Sequence, residues 1–440
     1  MLNDAPVKSL ITFILIAITC ARGSEIDPVL NLDECVRIAL EKSPYLERSL
    51  GERRQRSASV FSALSAVIPG ISLTTGYDRS GPDQAAPGTD SLGYPPGFSP
   101  VYSNEQYQTA ININAVLVDL ASFAGLKAAF TVDDIAETAF RGSKADLAYN
   151  VKEAYYNLIA VHKNIDVSQA SAAQSEEQML IARERFALGA IARPELLRIE
   201  VDQARRRIEL INARSELETA NRNLANQIGM LYPLAIDTSL LFPQISGPPP
   251  DHDSLVTIIL KKNPSMISAD FTLESQKTNR LSTQLQKVPV LSVGFSYGSA
   301  GTEPGWGAWS DNDFWNLGVR LTWNIFEGLG WYGRLRESNA QVQTAEAEQE
   351  ITRGNVLQEI NQAYNEYLSS REALSTAEIL REQAQEQLRV TQEQFRLGAT
   401  SALELVQSQT EYQQAILESI QIIISYHLSY ARINRLAGEW

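Results

Sequence analysis

The sequence predicts a mainly α-helical chain with a small β part, in which one long helical hairpin has been built twice. Three observations carry this reading. A solitary glycine separates two long helical patterns in each half, in Arg185-Phe186-Ala187-Leu188-Gly189-Ala190 and in Gln394-Phe395-Arg396-Leu397-Gly398-Ala399. The halves keep register: Phe186/Phe395, Gly189/Gly398, Glu195/Glu404 and Gly229/Gly438 are each 209 positions apart (398 minus 189). Upstream of each hairpin the apolar period changes from helical to two. Glycine tolerates the left-handed backbone that ends a helix, so each solitary glycine marks a hairpin tip.

The N-terminus carries Lys8 and an apolar run from Leu10 to Thr19. That is the length of a signal-peptide core and too short to span a bilayer. Small residues at Ala21-Arg22-Gly23 suit cleavage before Ser24, so residues 1–23 are expected to be an export signal. Cys20 is a candidate for lipid modification, but Ala17-Ile18-Thr19 is a poor version of the preceding small-residue sequence, which favours ordinary cleavage. Either outcome leaves Cys35 without an intrachain disulfide partner.

The first repeat, 24–231, opens with a helix over 31–67, where Leu32, Val36, Ala39 and Leu40 recur at helical spacing and Asp33 and Glu34 stand at the positive end. Its counterpart begins near Ser254 in the second repeat, 251–440. Pro44 and Pro264 occupy equivalent places in Lys42-Ser43-Pro44 and Lys262-Asn263-Pro264.

A β-hairpin over 70–118 follows. Ile71, Leu73, Thr75 and Tyr77 alternate with polar or small residues, as Ile111, Ile113 and Ala115 do on the way back. The second hairpin, 289–326, sets Leu291, Val293, Phe295 and Tyr297 against Leu317, Val319, Leu321, Trp323 and Ile325. Long Pro/Gly-rich loops, 79–106 and 299–314, join the strands. A strand apolar on one face and polar on the other suits lipid on one side and water on the other. A soluble sheet packed on one face gives the same alternation. The export signal and aromatic residues near strand ends (Tyr77, Tyr107, Tyr297, Trp315, Trp323) favour lipid. Four strands cannot close a membrane barrel, because their edges would leave backbone groups unpaired in hydrocarbon. Closure needs several copies: a dimer would supply eight strands, a trimer twelve.

The helical hairpins, 120–231 and 328–438, are joined by a linker over 232–250. From Leu120 to Leu188 and from Gly328 to Leu397 there is no proline. Such a helix would be on the order of 100 Å long at about 1.5 Å per residue. The return helices, Arg193 to Leu231 and Thr400 to Leu436, are shorter. Ile360, Tyr364, Tyr367, Leu374, Ala377, Ala384, Leu388 and Phe395 mark a narrow seam. The seam suits coiled-coil packing, either around water or as a solid bundle.

A net charge of -14, with Arg205-Arg206-Arg207 balanced by nearby acids, argues against nucleic acid as a partner. His162, His252 and His427 have no metal-ligand spacing, and no phosphate loop is present, so no catalytic, cofactor or metal residue is nominated. Gly328-Leu329-Gly330-Trp331-Tyr332-Gly333 is a literal G-x-G-x-x-G. It precedes a helix too long for a dinucleotide-binding unit and follows an alternating strand, and its repeat counterpart, Leu120 to Leu126, lacks the glycines.

The doubled Phe-x-Leu-Gly-Ala with Glu-Leu at 195/196 and 404/405 is similar to the TolC-like outer-membrane efflux proteins. So are the opening Leu-Asp-Glu-Cys-Val-x-Ile-Ala-Leu-Glu-Lys-Ser-Pro (32 to 44) and Trp-Asn-Ile-Phe-Glu-Gly (323 to 328). The resemblance covers essentially the whole chain after the export signal. It implies a homotrimer in the outer membrane of a Gram-negative-type cell, with a 12-stranded β-barrel in lipid and a trimeric α-barrel in the periplasm. It further implies a passive exit duct served by a periplasmic adaptor (membrane fusion) protein and an inner-membrane transporter. Leu188, Gly189, Ala190, Leu397, Gly398 and Ala399 fall at the adaptor-docking tips, and Glu404, with its counterpart Glu195, at the periplasmic aperture. Gln407 stands where some members place a second carboxylate. Cargo is not readable from the sequence, and the alternative function is an exported coiled-coil scaffold without a pore.

Overall fold

The computed structural model describes residues 29–80, 104–231, 234–238, 249–301 and 313–440. The export segment with Cys20, most of the linker and the two strand-joining loops lie outside the described residues. The elements in chain order are α1 Leu32–Lys42, α2 Pro44–Leu64, β1 Gly70–Ser80, β2 Asn104–Val118, α3 Leu120–Ala187 and α4 Arg193–Ile228, then α5 His252–Lys262, α6 Pro264–Leu285, β3 Val290–Gly301, β4 Asp313–Thr322, α7 Gly330–Leu397 and α8 Ala402–Leu436.

The helix expected over 31–67 is two helices. Its start is a capping box: Asn31 Oδ1 accepts from the Glu34 amide at 2.8 Å, and Glu34 Oε2 accepts from the Asn31 amide at 3.1 Å. The break falls at Ser43, whose ψ of 128° is the extended conformation that a following proline enforces. Asn263, before Pro264, breaks α5 from α6 in the same way with ψ 123°. Each break faces the far end of a return helix. Gly229 has φ +70°, and a Cβ there would stand 2.6 Å from the Lys42 carbonyl oxygen. Only glycine therefore fits both the backbone and the contact.

The chain divides into two compact units, and each draws on both repeats. One takes residues up to Leu50, Phe140–Pro264 and Gly354–Trp440; the other takes Gly51–Ala139 and Ser265–Arg353. In the first unit Cys35, Val36 and Ala39 of α1 pack with Val151 and Leu158 of α3 and with Leu224 and Ile228 of α4. Burial pushes the free Cys35 thiol up to about 11. Leu30 exchanges backbone hydrogen bonds with Ala235 and Asp237, which ties the described piece of the linker to this core.

The second unit holds one antiparallel sheet in the order β1-β2-β3-β4. Its register sets apolar residues in rows across all four strands: Ile71, Ile113, Phe295 and Leu317 in one, Leu73, Ile111, Tyr297 and Trp315 in the next. Ser72, Asn112, Ser296 and Asn316 form a polar row on the opposite face. Most of the apolar face is exposed in the single chain: Ile71, Leu73, Trp315, Leu317, Val319 and Leu321 all stand open. β4 ends at Thr322, so Trp323 and Ile325 lie beyond the strand rather than within it. Within the same unit, Trp323 Nε1 donates to the Lys287 carbonyl at 3.0 Å and fixes the exit from the sheet.

Among the described residues no helix is long and apolar enough to cross a membrane.

Candidate functional site

The two hairpin tips lie in the first unit and share one backbone design. After α3, the Gly189 amide donates to Phe186 O at 3.0 Å and the Ala190 amide to Arg185 O at 2.8 Å. After α7, Gly398 donates to Phe395 O at 3.0 Å and Ala399 to Gln394 O at 2.8 Å. These are paired helix-end bonds that satisfy orphan carbonyls, with Gly189 at φ +71° and Gly398 at φ +78°. The outermost residues are presented to solvent, with Leu188 and Leu397 each 83% exposed.

The tips are alike in backbone and unlike in packing. Phe395 is 3% exposed and packs among Met179, Ala182, Ile199, Ala402 and Leu405, whereas its counterpart Phe186 is 39% exposed. Of this repeat pair the structure buries only one. Arg185 adds to the cover over Phe395. Its Nη1 donates to the Phe395 carbonyl at 2.8 Å, and its guanidinium lies 5.2 Å from the centre of the Phe395 ring. Position 394, the repeat equivalent of Arg185, is glutamine and carries no cation to set over Phe186. Arg396 adds an exposed ion pair to Glu177 at 3.0 Å.

Glu404 and Glu195 each stand in the first turn of a return helix, where the helix dipole favours a carboxylate. Their settings differ. Glu404 is exposed, its amide donates to the capping Ser401 Oγ at 3.3 Å, and its carboxylate accepts from Thr400 Oγ1. Glu195 is half-buried at the start of a helix whose Ala192 cap offers no side chain but which has proline in its first turn. Gln407 is engaged with Glu411 at 3.0 Å.

Behind the tips lies a buried polar cluster that sequence reasoning missed. Arg206 and Asp202 of α4 are both buried and form an ion pair at 3.3 Å. Arg206 also donates to Thr410 Oγ1 at 3.0 Å and to Gln413 of α8, while Gln413 donates to Ser171 of α3. Three helices are thereby cross-tied by one guanidinium and one carboxamide. Burial outweighs Arg206 and raises the Asp202 carboxyl above its ordinary range. The sequence signal was a break in the repeat: the counterpart of Arg206 is Ala415.

The three histidines have separate surroundings. His427 stacks on Tyr156 with ring centres 5.1 Å apart, and burial lowers its pKa, as it does that of His162. His252 bridges Asp253 and Asn361 at the start of α5. Among the described residues no group of three or more His, Cys, Asp or Glu is placed to hold a metal ion. The glycine cluster at 328–333 opens a 68-residue helix after an antiparallel edge strand.

Comparison with known proteins agrees with this architecture. The family model described as outer membrane efflux protein matches residues 35–230 and 255–439. The chain is 21% identical to the outer membrane protein TolC of Vibrio cholerae, over 93% of this chain and 90% of that protein. It is 19% identical to the alkaline protease secretion protein AprF of Pseudomonas aeruginosa, over 93% of this chain and 84% of that protein. The fold matches the solved outer-membrane channel OprN with a TM-score of 0.79 at 19% identity, covering 93% of this chain and 90% of that one. The match spans both repeats, and the chain therefore belongs to the outer membrane efflux protein family, whose place is the outer membrane.

Proposed function

We propose that three copies of this chain close one conduit, a passive duct with no catalytic step of its own. One observation carries the reading: the sheet has one face that is apolar over the successive rows from Leu291 to Tyr297, and two edge strands, β1 and β4. Unpaired edges are not tolerated in hydrocarbon, so each edge calls for a strand from another copy. Twelve strands lie within the even-numbered range of membrane barrels. In this reading residues 1–23 are removed on export, 24–231 and 251–440 are the two copies of the duplicated unit, and 232–250 joins them.

The helical hairpins of the three copies would enclose water and receive cargo from an inner-membrane transporter through a periplasmic adaptor. Exposed Leu188, Gly189, Ala190, Leu397, Gly398 and Ala399 form the surface offered to that adaptor. The closed state is held by contacts between neighbouring tips, and opening moves the helices outward. Glu404 supplies the aperture with a carboxylate per chain, and Glu195, less exposed, contributes less.

Single-channel recording in planar bilayers tests the reading. Discrete conductance steps are expected, together with block by millimolar divalent cations that weakens severalfold in Glu404→Gln and little in Glu195→Gln. A non-pore scaffold would give no conductance at all.

A further inference from the structure

Each long helix begins with the same three kinds of side chain at the same spacing. In the first repeat they are Leu120, Phe123 and Lys127; in the second, Leu329, Tyr332 and Arg336, each 209 positions on (329 minus 120). Spacings of three and seven put each set on one helical face. The helical ladder holds this face from the outset, because Phe123 N donates to Asp119 O at 3.1 Å and Gly333 N to Leu329 O at 3.0 Å. Both sets belong to the second unit. Leu120 comes two residues after the end of β2 and Leu329 seven after the end of β4.

All four apolar or aromatic members are open to solvent: Leu120 42%, Phe123 44%, Leu329 81% and Tyr332 51%. Arg336 lies over the Tyr332 ring at 5.4 Å and meets no carboxylate within ion-pair distance among the described residues. Lys127 makes one long, exposed ion pair to Glu274 at 3.6 Å. The neighbouring cations Lys287 and Arg334, by contrast, are both engaged by Glu327. The order of chemistry away from the sheet is therefore aliphatic, aromatic, cationic. Leucine to cation spans about 10 Å at ~1.5 Å per residue. The polar layer flanking each side of a bilayer's hydrocarbon is about 5–8 Å thick.

We infer that Leu120-Phe123-Lys127 and Leu329-Tyr332-Arg336 are twin anchoring sites for the net anionic, phosphate-bearing headgroups of phospholipids in the leaflet next to the helices. This rests on the reading of the sheet as a membrane barrel. Leucine meets the acyl boundary, the ring lies at the interface, and the cation takes the headgroup phosphate. The pairing holds locally although the chain is net acidic, because surface attraction is confined to within about a Debye length.

Native mass spectrometry of the full chain in mild detergent tests this with phosphatidylglycerol and phosphatidylcholine as probes. The wild type should retain phosphatidylglycerol preferentially, and Lys127→Gln with Arg336→Gln should lower its retention about fivefold for each site. The charge-conserving pair Lys127→Arg and Arg336→Lys should keep it. Equal retention of both lipids by the wild type, or undiminished retention by the glutamine variant, would overturn the proposal. Full displacement by millimolar inorganic phosphate would assign the sites to free phosphate and overturn the lipid assignment. Conductance of the same preparation separates the two readings. A conducting chain without headgroup preference removes the anchors and leaves the channel; a chain that neither conducts nor binds removes both.

Discussion

The Arg185 guanidinium donates to the backbone carbonyl of Phe395 over 2.8 Å, so a side chain of the first hairpin closes on the tip of the second. A charge-assisted hydrogen bond contributes about 1.5–3 kcal/mol when its partners are shielded, and Arg185 is half-buried against the Phe395 ring. If outward movement of the tips opens the duct, Arg185→Ala should shift the open-to-closed ratio about tenfold or more toward open. Bilayer recordings should show longer and larger openings. Arg183→Ala, which removes only an exposed ion pair at 3.9 Å, should change little. Equal conductance in the wild type and Arg185→Ala would show that this contact does not hold the closed state.

The glycines at the tips offer a sharper comparison. Alanine at either position meets left-handed strain of about 1–2 kcal/mol. At Gly189 nothing else lies within 4 Å of the added carbon, whereas at Gly398 the carbon would stand 2.9 Å from Arg185 Nη2. Gly398→Ala should therefore displace the guanidinium and raise conductance as Arg185→Ala does, while Gly189→Ala should cost stability alone. The double variant Gly398→Ala with Arg185→Ala should conduct no more than the single arginine variant. Additive gains would mean that the glycine acts by another route.

What the sequence revealed and what it hid divide along a physical line. Period, proline and glycine are local signals, so the strand pairs, the long helices and the tips at Gly189 and Gly398 were legible. The break at Ser43 was not, because helical spacing resumes beyond Pro44 and conceals the single extended residue. The contacts of Arg185 with Phe395 and of Arg206 with Gln413 join positions more than 200 residues apart, and periodicity carries no information about such pairings. Both arginines stand where the two repeats differ in charge, opposite Gln394 and Ala415. In a duplicated chain, those breaks in symmetry mark where the copies have taken different roles. The unequal burial of Phe395 and Phe186 coincides with one of them.

The Asp202 and Arg206 pair makes a prediction about stability. Removing one member of a buried pair strands the other charge and typically costs about 3–5 kcal/mol, whereas replacing both by apolar residues is often neutral or stabilising. Arg206→Ala should thus lower the urea midpoint of the purified chain far more than Asp202→Leu with Arg206→Met. Arg207→Ala, whose partner Glu176 is exposed, should change it by less than about 1 kcal/mol. A double variant as unstable as Arg206→Ala would show that the pair, rather than the stranded charge, supplies the stability.

The start of α5 should respond to pH through His252. Its Nε2 lies 2.8 Å from Asn361 Oδ1 and its Nδ1 3.2 Å from Asp253 Oδ1, so both ring nitrogens face acceptors and only the imidazolium can donate to both. The hydrogen bond to Asn361, then that to Asp253, raises the pKa above 6.5. Folding therefore binds the proton more tightly, and the contribution is fully present below 6.5 and lost as pH rises through the raised value. Tyr364 donates to the Pro250 carbonyl at 3.0 Å, a second tether at this helix start, so the contact should loosen without releasing. Hydrogen exchange of the amides at 252–256 should accelerate, beyond the ordinary chemical dependence on pH, as pH rises from 6.5 through the raised value. His252→Gln should remove that excess while leaving exchange in α8 unchanged. Exchange at 252–256 that follows the chemical rate alone in the wild type would show that the imidazolium does not hold this helix start.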